Sequence, residues 1–510
     1  MAKGEIRLQY SGFVIFAAKI LSVATGMIFQ LMVSRATAEL DLEYDIWFNL
    51  NDILVYFTLL ATALPFWTMR FVARDEEGAV KTGIIGNMII AAIATVIYLS
   101  LVPLITSSLG ISQEYLVLYF LVSVQIIELY SISALQSCLR ARKPHVVGYG
   151  LLVAEVCRAV LGYVLIMRFQ GEIGKVIPGY TPIMGALLSL IVAFSIQIVY
   201  YLKLFREELK ERVRWQYIKE WLKGSIGNIY NVMGSRIATF AFIWLFIYGG
   251  EGARGMYGLA RQVATVITHS SFLAFALYPK LLAERKQEDI TTALKMVLMF
   301  AIPMTAGAIM LADSYVIIMR GSEYREVSPI LVVLAINALT ITLSNLFSFI
   351  IYGTEGIDEK ARISLKELIK SRIFITFSLP YLQSAIALPA TYFTLINYAQ
   401  NQPLQAAIYV SIINTSAQLA MFSVMYALVR RTVTINIPWK NIAKYVLASL
   451  VMATVLFIIP HPTRISFTLI LTAVGGLIYL GLLMIIDQEA RSLIRSVWQE
   501  VKFKFYGILS

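Results

Sequence analysis

Apolar residues run along this chain in long, nearly uninterrupted blocks, and short polar segments separate them. A helical block of roughly 20 apolar residues matches the hydrocarbon thickness of a bilayer. Such windows fall at 11–34, 44–66, 82–106, 114–139, 145–168, 181–204, 222–247, 253–278, 292–318, 328–352, 372–397, 404–428, 441–460 and 464–486. The pattern predicts an all-α polytopic membrane protein with about 14 transmembrane helices. The first window is too long for a secretory leader and lacks a small-x-small cleavage pattern, so it reads as a retained first span. The eleventh contains Pro380 and Pro389, which mark it for a break or a tilt.

The polar segments are not equivalent. Lys and Arg gather at Lys3 and Arg7, then in alternate loops: Arg70, Arg74 and Lys81; Arg140, Arg142 and Lys143; and the run from Lys203 to Lys223. The series continues with Lys280, Arg285 and Lys286, the segment Lys360 to Arg372, then Arg430, Arg431, Lys440 and Lys444, and finally the C-terminal segment. The opposite loops hold little beyond Arg35, Lys175, Arg254, Arg320, Arg325 and Arg464. Because basic loops stay on the cytoplasmic side, both termini are expected to be cytoplasmic. All seven tryptophans, Trp47, Trp67, Trp215, Trp221, Trp244, Trp439 and Trp498, fall at or near predicted span ends or in flanking segments, where an interfacial aromatic belt is expected.

Two stretches recur in order. "ATALPFWTMRFVARDEEGAVKTG" closes span two and "FALYPKLLAERKQEDITTALKMV" closes span eight, each with Ala-Leu before a proline and a Lys entering the next span. "QEYLVLYFLVSV" opens span four and "SEYREVSPILVVL" opens span ten. The repeat predicts two pseudo-symmetric six-helix lobes, 1–204 and 222–428, related by an axis along the membrane normal. A cytoplasmic linker helix at 205–221 joins them, spans thirteen and fourteen occupy 429–486, and 487–510 is expected to be a cytoplasmic amphipathic tail.

Composition narrows the chemistry. The chain is 58% hydrophobic and 15% charged, against about 25% charged for a soluble domain. Its net charge of +12 sits in blocks at span ends, which the membrane topology explains without nucleic acid. Cys138 and Cys157 fall inside predicted spans and form no disulfide framework or metal spacing. The sequence contains no nucleotide-binding loop, paired-carboxylate metal site or selectivity-filter motif, and the outer loops are too short for an extramembrane catalytic domain. A non-enzymatic protein without cofactor or metal is expected, so the spans themselves carry the function.

Ionisable residues within spans are the candidates. Glu155 and Arg158 are i,i+3 neighbours able to pair, and Glu128 on the preceding span can join them; the cluster is either structural or part of a cavity. Asp52, beside Asn49 and Asn51, either binds a cation or bonds neighbouring helices. Lys19 either reaches back to the surface or faces a cavity. Arg236 and Arg261 have no acid within four residues on their own helices and lie too deep for easy snorkelling. Unmatched cations imply an anionic ligand, and the guanidinium fork suits phosphate. Asn231 and Ser235 accompany Arg236, and Gln262, Thr265 and His269 follow Arg261, as sugar-facing groups or interhelical glue.

The stretches "YGLARQVATVI" (257–267), "ALYPKLLAE" (276–284), "IPMTAGAIML" (302–311) and "IMRGSEYREVSPILVVLAI" (318–336) resemble those of the polysaccharide transporter family. Its superfamily also holds the multidrug and toxic-compound extrusion proteins and the lipid II flippase. The segment "SRATAELDLEYDIWFNLND" departs from the family, carrying acids where a glycine-containing turn is usual. The resemblance implies translocation of a polyprenyl-phosphate- or pyrophosphate-linked oligosaccharide to the outer leaflet of a prokaryotic plasma membrane. It also implies a cationic cavity, for which Lys19, Arg236 and Arg261 are the fitting positions, and partners comprising the lipid-linked glycan, membrane lipids and other glycan-assembly proteins. A cation-coupled multidrug exporter is the main alternative, and a membrane glycosyltransferase or polymerase is less favoured.

Overall fold

A computed structural model describes residues 8–274, 287–355, 371–433 and 435–491, with side chains over 21–271, 290–352, 371–433 and 435–491. Among these residues the secondary structure is helical throughout, without a strand. Eleven helices are long and apolar enough to cross a membrane, and a bent pair makes a twelfth. The remaining two windows hold α1 (Leu8–Ala36) and α12 (Ala253–Thr268). The protein is an all-α, multi-pass membrane protein. By its internal contacts the chain divides into two compact units, Met1–Gly258 with Lys360–Val410, and Leu259–Glu359 with Ser411–Ser510.

In the first unit, α1 packs on α6 (Pro144–Gly162), α4 (Ala79–Ser108) on α5 (Leu116–Arg142), and both α5 and α6 on α8 (Pro182–Lys203). The second span is α2 (Asp41–Phe57) followed, after a 3-10 turn, by α3 (Ala63–Ala73), with a bend of 56°. A bend frees backbone carbonyls, which inside a bilayer must find other donors. Here Tyr130 Oη donates to the carbonyl of Phe57 (3.1 Å), Asn87 Nδ2 to that of Ala61 (3.3 Å), and Ser225 Oγ to that of Ala63 (2.8 Å). The seventh span, Ile226–Tyr248, is interrupted at one residue, Thr239, between α10 (Ile226–Ala238) and α11 (Phe240–Tyr248), where Thr239 Oγ1 donates back to the carbonyl of Arg236 at 2.6 Å.

The eleventh span corrects an expectation. Despite Pro380 and Pro389 it is one continuous helix, α16 (Arg372–Asn397). Packing against α10 and α11 holds it. Gly234 brings α10 within reach: a Cβ there would stand 2.6 Å from the Tyr381 ring and 3.2 Å from Pro380. Ser384 Oγ donates to the carbonyl of Pro380 at 2.8 Å, and Tyr381 Oη donates to that of Tyr230 at the same distance.

The linker is helical over a shorter stretch than expected. Its helix, α9 (Trp215–Gly224), follows a non-helical segment interrupted by one 3-10 turn at Glu208–Lys210. Trp221 of α9 is fully buried, packed on Phe71 and near Trp67. Trp47 is also buried and donates from Nε1 to Gln30 Oε1 at 3.1 Å. Of the expected belt, Trp47, Trp67 and Trp221 are therefore core residues, whereas Trp215 and Trp439 are exposed. Trp498 and most of the tail, 492–510, lie outside the described residues.

In the second unit, α13 (Gln287–Met310) packs on α15 (Ser328–Glu355) and α18 (Trp439–Ile458), and α18 pairs with α19 (Ile465–Ile486). Polar ties fix the last two spans. Tyr479 Oη donates to the carbonyl of Met299 (2.6 Å), and buried Asp487 accepts from Asn441 (3.1 Å) and faces Lys444 (3.5 Å). His461 meets Asp313 of α14 (Ala312–Arg320) at 2.7 Å. Asn337 of α15 bonds Thr415 of α17 (Pro403–Thr432) at 3.2 Å.

Candidate functional site: an arginine without an acid

Three arginines of the first unit, Arg158, Arg254 and Arg236, have different surroundings. Arg158 pairs with Glu155 one turn before it on α6. The same carboxylate accepts from Ser22 Oγ (2.9 Å) and Thr25 Oγ1 (3.0 Å) of α1, and the guanidinium lies 5.2 Å over Phe29. The predicted i,i+3 pair is thus present and bonds α6 to α1. Glu128 does not join it: its Oε1 accepts from Ser195 of α8 at 2.8 Å, and its buried Oε2 has no partner among the described residues.

Arg254, placed by sequence in a loop, is instead 3% exposed at the start of α12. Its Nε and Nη2 grip the two oxygens of Asp52 at 2.6 and 2.9 Å, and the rings of Phe48, Phe242 and Tyr257 surround it at 4.9 to 5.8 Å. Asp52 is therefore a paired structural acid rather than one open to a cation. Two turns earlier on the same face of α2, buried Asp45 accepts the backbone N–H of Gly252 (2.7 Å) and of Gly255 (2.5 Å). The glycines are required: Gly252 has φ +90°, and a Cβ on Gly255 would lie 2.7 Å from the Tyr44 ring. The glycine run "GGEGARG" (249–255) was the sequence signal for this turn; nothing local pointed to Arg254 as the partner of Asp52.

Arg236 has neither arrangement. On α10, Tyr230 and Gly234 face α16, where Tyr230 stacks on Tyr381 (4.6 Å) and Phe374 (5.2 Å). Arg236 follows two residues later, which at about 100° per residue turns it away from that contact, and it is half-buried. The polar group at its side is the Tyr56 hydroxyl, which also accepts from Thr239 Oγ1 at 3.2 Å. Among the described residues no carboxylate pairs with Arg236, and its buried Nε has no hydrogen-bond partner. Asn231 on the same helix is half-exposed.

Arg261 belongs to the second unit and is exposed on α12. Its backbone carbonyl accepts from Thr265 Oγ1 at 2.7 Å, and the buried Oε1 of the next residue, Gln262, has no partner among the described residues. His269 opens the 3-10 turn that ends α12. Lys19 falls within α1, but its side chain lies outside the described residues. Among the described residues no group of three His, Cys, Asp or Glu side chains could hold a metal ion.

No family model and no curated protein matches the chain. Solved structures do. The lipid II flippase MurJ in an inward-closed conformation superposes with TM-score 0.65 at 18% identity, covering 94% of this chain and 100% of MurJ. An inward-facing multidrug-resistance MATE transporter of the MOP superfamily gives TM-score 0.58 at 14% identity over 81% of this chain and 95% of its own. The eukaryotic MATE transporter AtDTX14 gives 0.55 at 10% identity, over 86% and 98%. The chain has the fold shared by the lipid II flippase MurJ and the MATE transporters of the MOP superfamily.

Proposed function

We propose that the protein is a flippase that moves a polyprenyl-phosphate- or pyrophosphate-linked oligosaccharide from the cytoplasmic to the outer leaflet by alternating access of two six-helix lobes. In this reading it resides in a prokaryotic plasma membrane with both termini cytoplasmic. The observation that carries the proposal is the contrast among arginines. Arg158 and Arg254 are neutralised by Glu155 and Asp52, whereas Arg236 reaches out of its helix contact with no acid among the described residues. A cation kept in a bilayer without an internal counter-ion is explained by an anionic ligand, and a phosphate offers the oxygens that its donors lack. Lys19 and Arg261 are further candidate cations on sequence grounds alone. Likeness to a lipid II flippase along nearly the whole chain is in keeping with this choice.

The alternative, a cation-coupled exporter, has one observation in its favour: Glu128 keeps a buried oxygen without a partner among the described residues. Asp52 and Glu155 are already bonded to arginines, so Glu128 would carry the coupling. Replacing Arg236 and Arg261 separately with Ala, at normal expression, and scoring a labelled lipid-linked glycan at the outer leaflet tests the assignment. Loss of flipping in the Arg236 variant is expected; unchanged flipping in both variants removes the phosphate-binding role.

A further inference from the structure

Helix α9 carries two apolar faces, and only one is covered. Tyr217, Ile218, Trp221 and Ser225 face the protein: Tyr217 and Trp221 lie 5.0 and 5.3 Å from the Phe71 ring, and Ser225 bonds the carbonyl of Ala63. The opposite face holds Trp215, Lys219, Leu222 and Lys223, continued by Ile226 at the start of α10. At 100° per residue these five fall within an arc of about 100°. Trp215 is 58% and Leu222 45% exposed on a helix that is not itself a span, and Ile226, also 45% exposed, carries the same face into the seventh span.

Its position and charge say what covers this face. The helix lies between two spans, α8 and the α10–α11 pair, and is tied to the turn between α3 and α4. Glu211 accepts the N–H of Gly78 (2.7 Å), Arg214 pairs with Glu77 (2.6 Å), and the Arg214 N–H donates to Thr82 Oγ1 (2.8 Å). It is therefore held at the level where spans end. Most acids of the linker are occupied: Glu207 by Lys210, Glu208 by Arg142, and Glu211 by Gly78. Glu220 sits on the flank of α9. Lys219 and Lys223 are exposed and make no ion pair among the described residues.

We propose that this face of α9 is a docking site for the headgroups of anionic phospholipids of the surrounding bilayer. Trp215, Leu222 and Ile226 enter the boundary between headgroups and acyl chains, and Lys219 and Lys223 meet the phosphates. The charge pattern selects anionic over zwitterionic lipid, because each lysine near a negative surface contributes separately to binding. The site is independent of what the protein transports.

The test titrates delipidated full-length protein with phosphatidylglycerol or phosphatidylcholine and counts bound lipids by native mass spectrometry. Phosphatidylglycerol is expected to bind more tightly. Lys219→Ala with Lys223→Ala should weaken it about thirtyfold and leave phosphatidylcholine unchanged, whereas Arg430→Ala with Arg431→Ala, at another basic span end, should leave both unchanged. Equal phosphatidylglycerol binding by the wild type and the lysine variant overturns the proposal. So does an equal loss in the arginine variant, which would reduce the effect to overall charge.

Discussion

Arg236, within the seventh span, and Arg254, at the start of the next helix, are held in opposite ways. Arg254 is a buried bidentate partner of Asp52 inside three aromatic rings. Removing it leaves a carboxylate stranded, so Arg254→Ala should destabilise the protein by about 3–5 kcal/mol. Thermal unfolding in detergent measures this, and Asp52→Asn added to Arg254→Ala should recover part of the loss. Arg236→Ala removes no ion pair and should change stability by less than about 1 kcal/mol. A large drop in unfolding temperature for Arg236→Ala would mean that the residue is structural after all. Sequence identified Asp52 as a notable intramembrane acid but not its partner, because the two stand 202 positions apart. The Glu155–Arg158 pair was legible because i,i+3 spacing is local information; Ser22 and Thr25, from another helix, were not.

At the scale of elements, hydropathy located nearly every span but could not show which bends are tolerated. Pro380 and Pro389 suggested a broken helix, yet α16 is continuous because Gly234 lets α10 pack directly on Tyr381 and Pro380. Gly234→Ala should therefore cost about 1–3 kcal/mol through overpacking, read as a lower unfolding midpoint. No change would show that the two helices separate freely. The bend between α2 and α3 has Pro65 in the first turn of α3, with no N–H to return to the carbonyl of Ala61, so a proline marks the bent span and the straight one alike; the freed carbonyls are satisfied by Tyr130, Asn87 and Ser225, from three other helices or turns. Asn87→Ala should expose this dependence, since Asn87 Nδ2 also donates to the carbonyl of Tyr130 at 2.7 Å. A destabilisation of about 1–3 kcal/mol is expected for the unmade bonds. Three of the expected belt residues, Trp47, Trp67 and Trp221, pack inside instead, because a tryptophan near a span end is equally suited to joining a helix to the spans, as Trp221 joins α9 to Phe71.

For the whole molecule, composition and block length sufficed to establish a polytopic helical membrane protein, and the described helices and the MOP fold agree. The distribution of basic loops makes a separate prediction. Single cysteines placed at Lys143 and at Glu208 should be labelled by impermeant reagents only from the cytoplasmic side, and one at Lys175 only from the outside. The reverse pattern would invert the proposed direction of transport. The central claim is that the fold moves a lipid-linked glycan rather than a soluble drug. Its most direct test is reconstitution into liposomes with a fluorescent polyprenyl-phosphate-linked oligosaccharide in one arm and an organic cation with an imposed proton gradient in the other. The glycan is expected to cross to the opposite leaflet, Arg236→Ala to abolish the crossing, and the cation not to be accumulated. Gradient-driven cation transport, with no glycan movement, would contradict it.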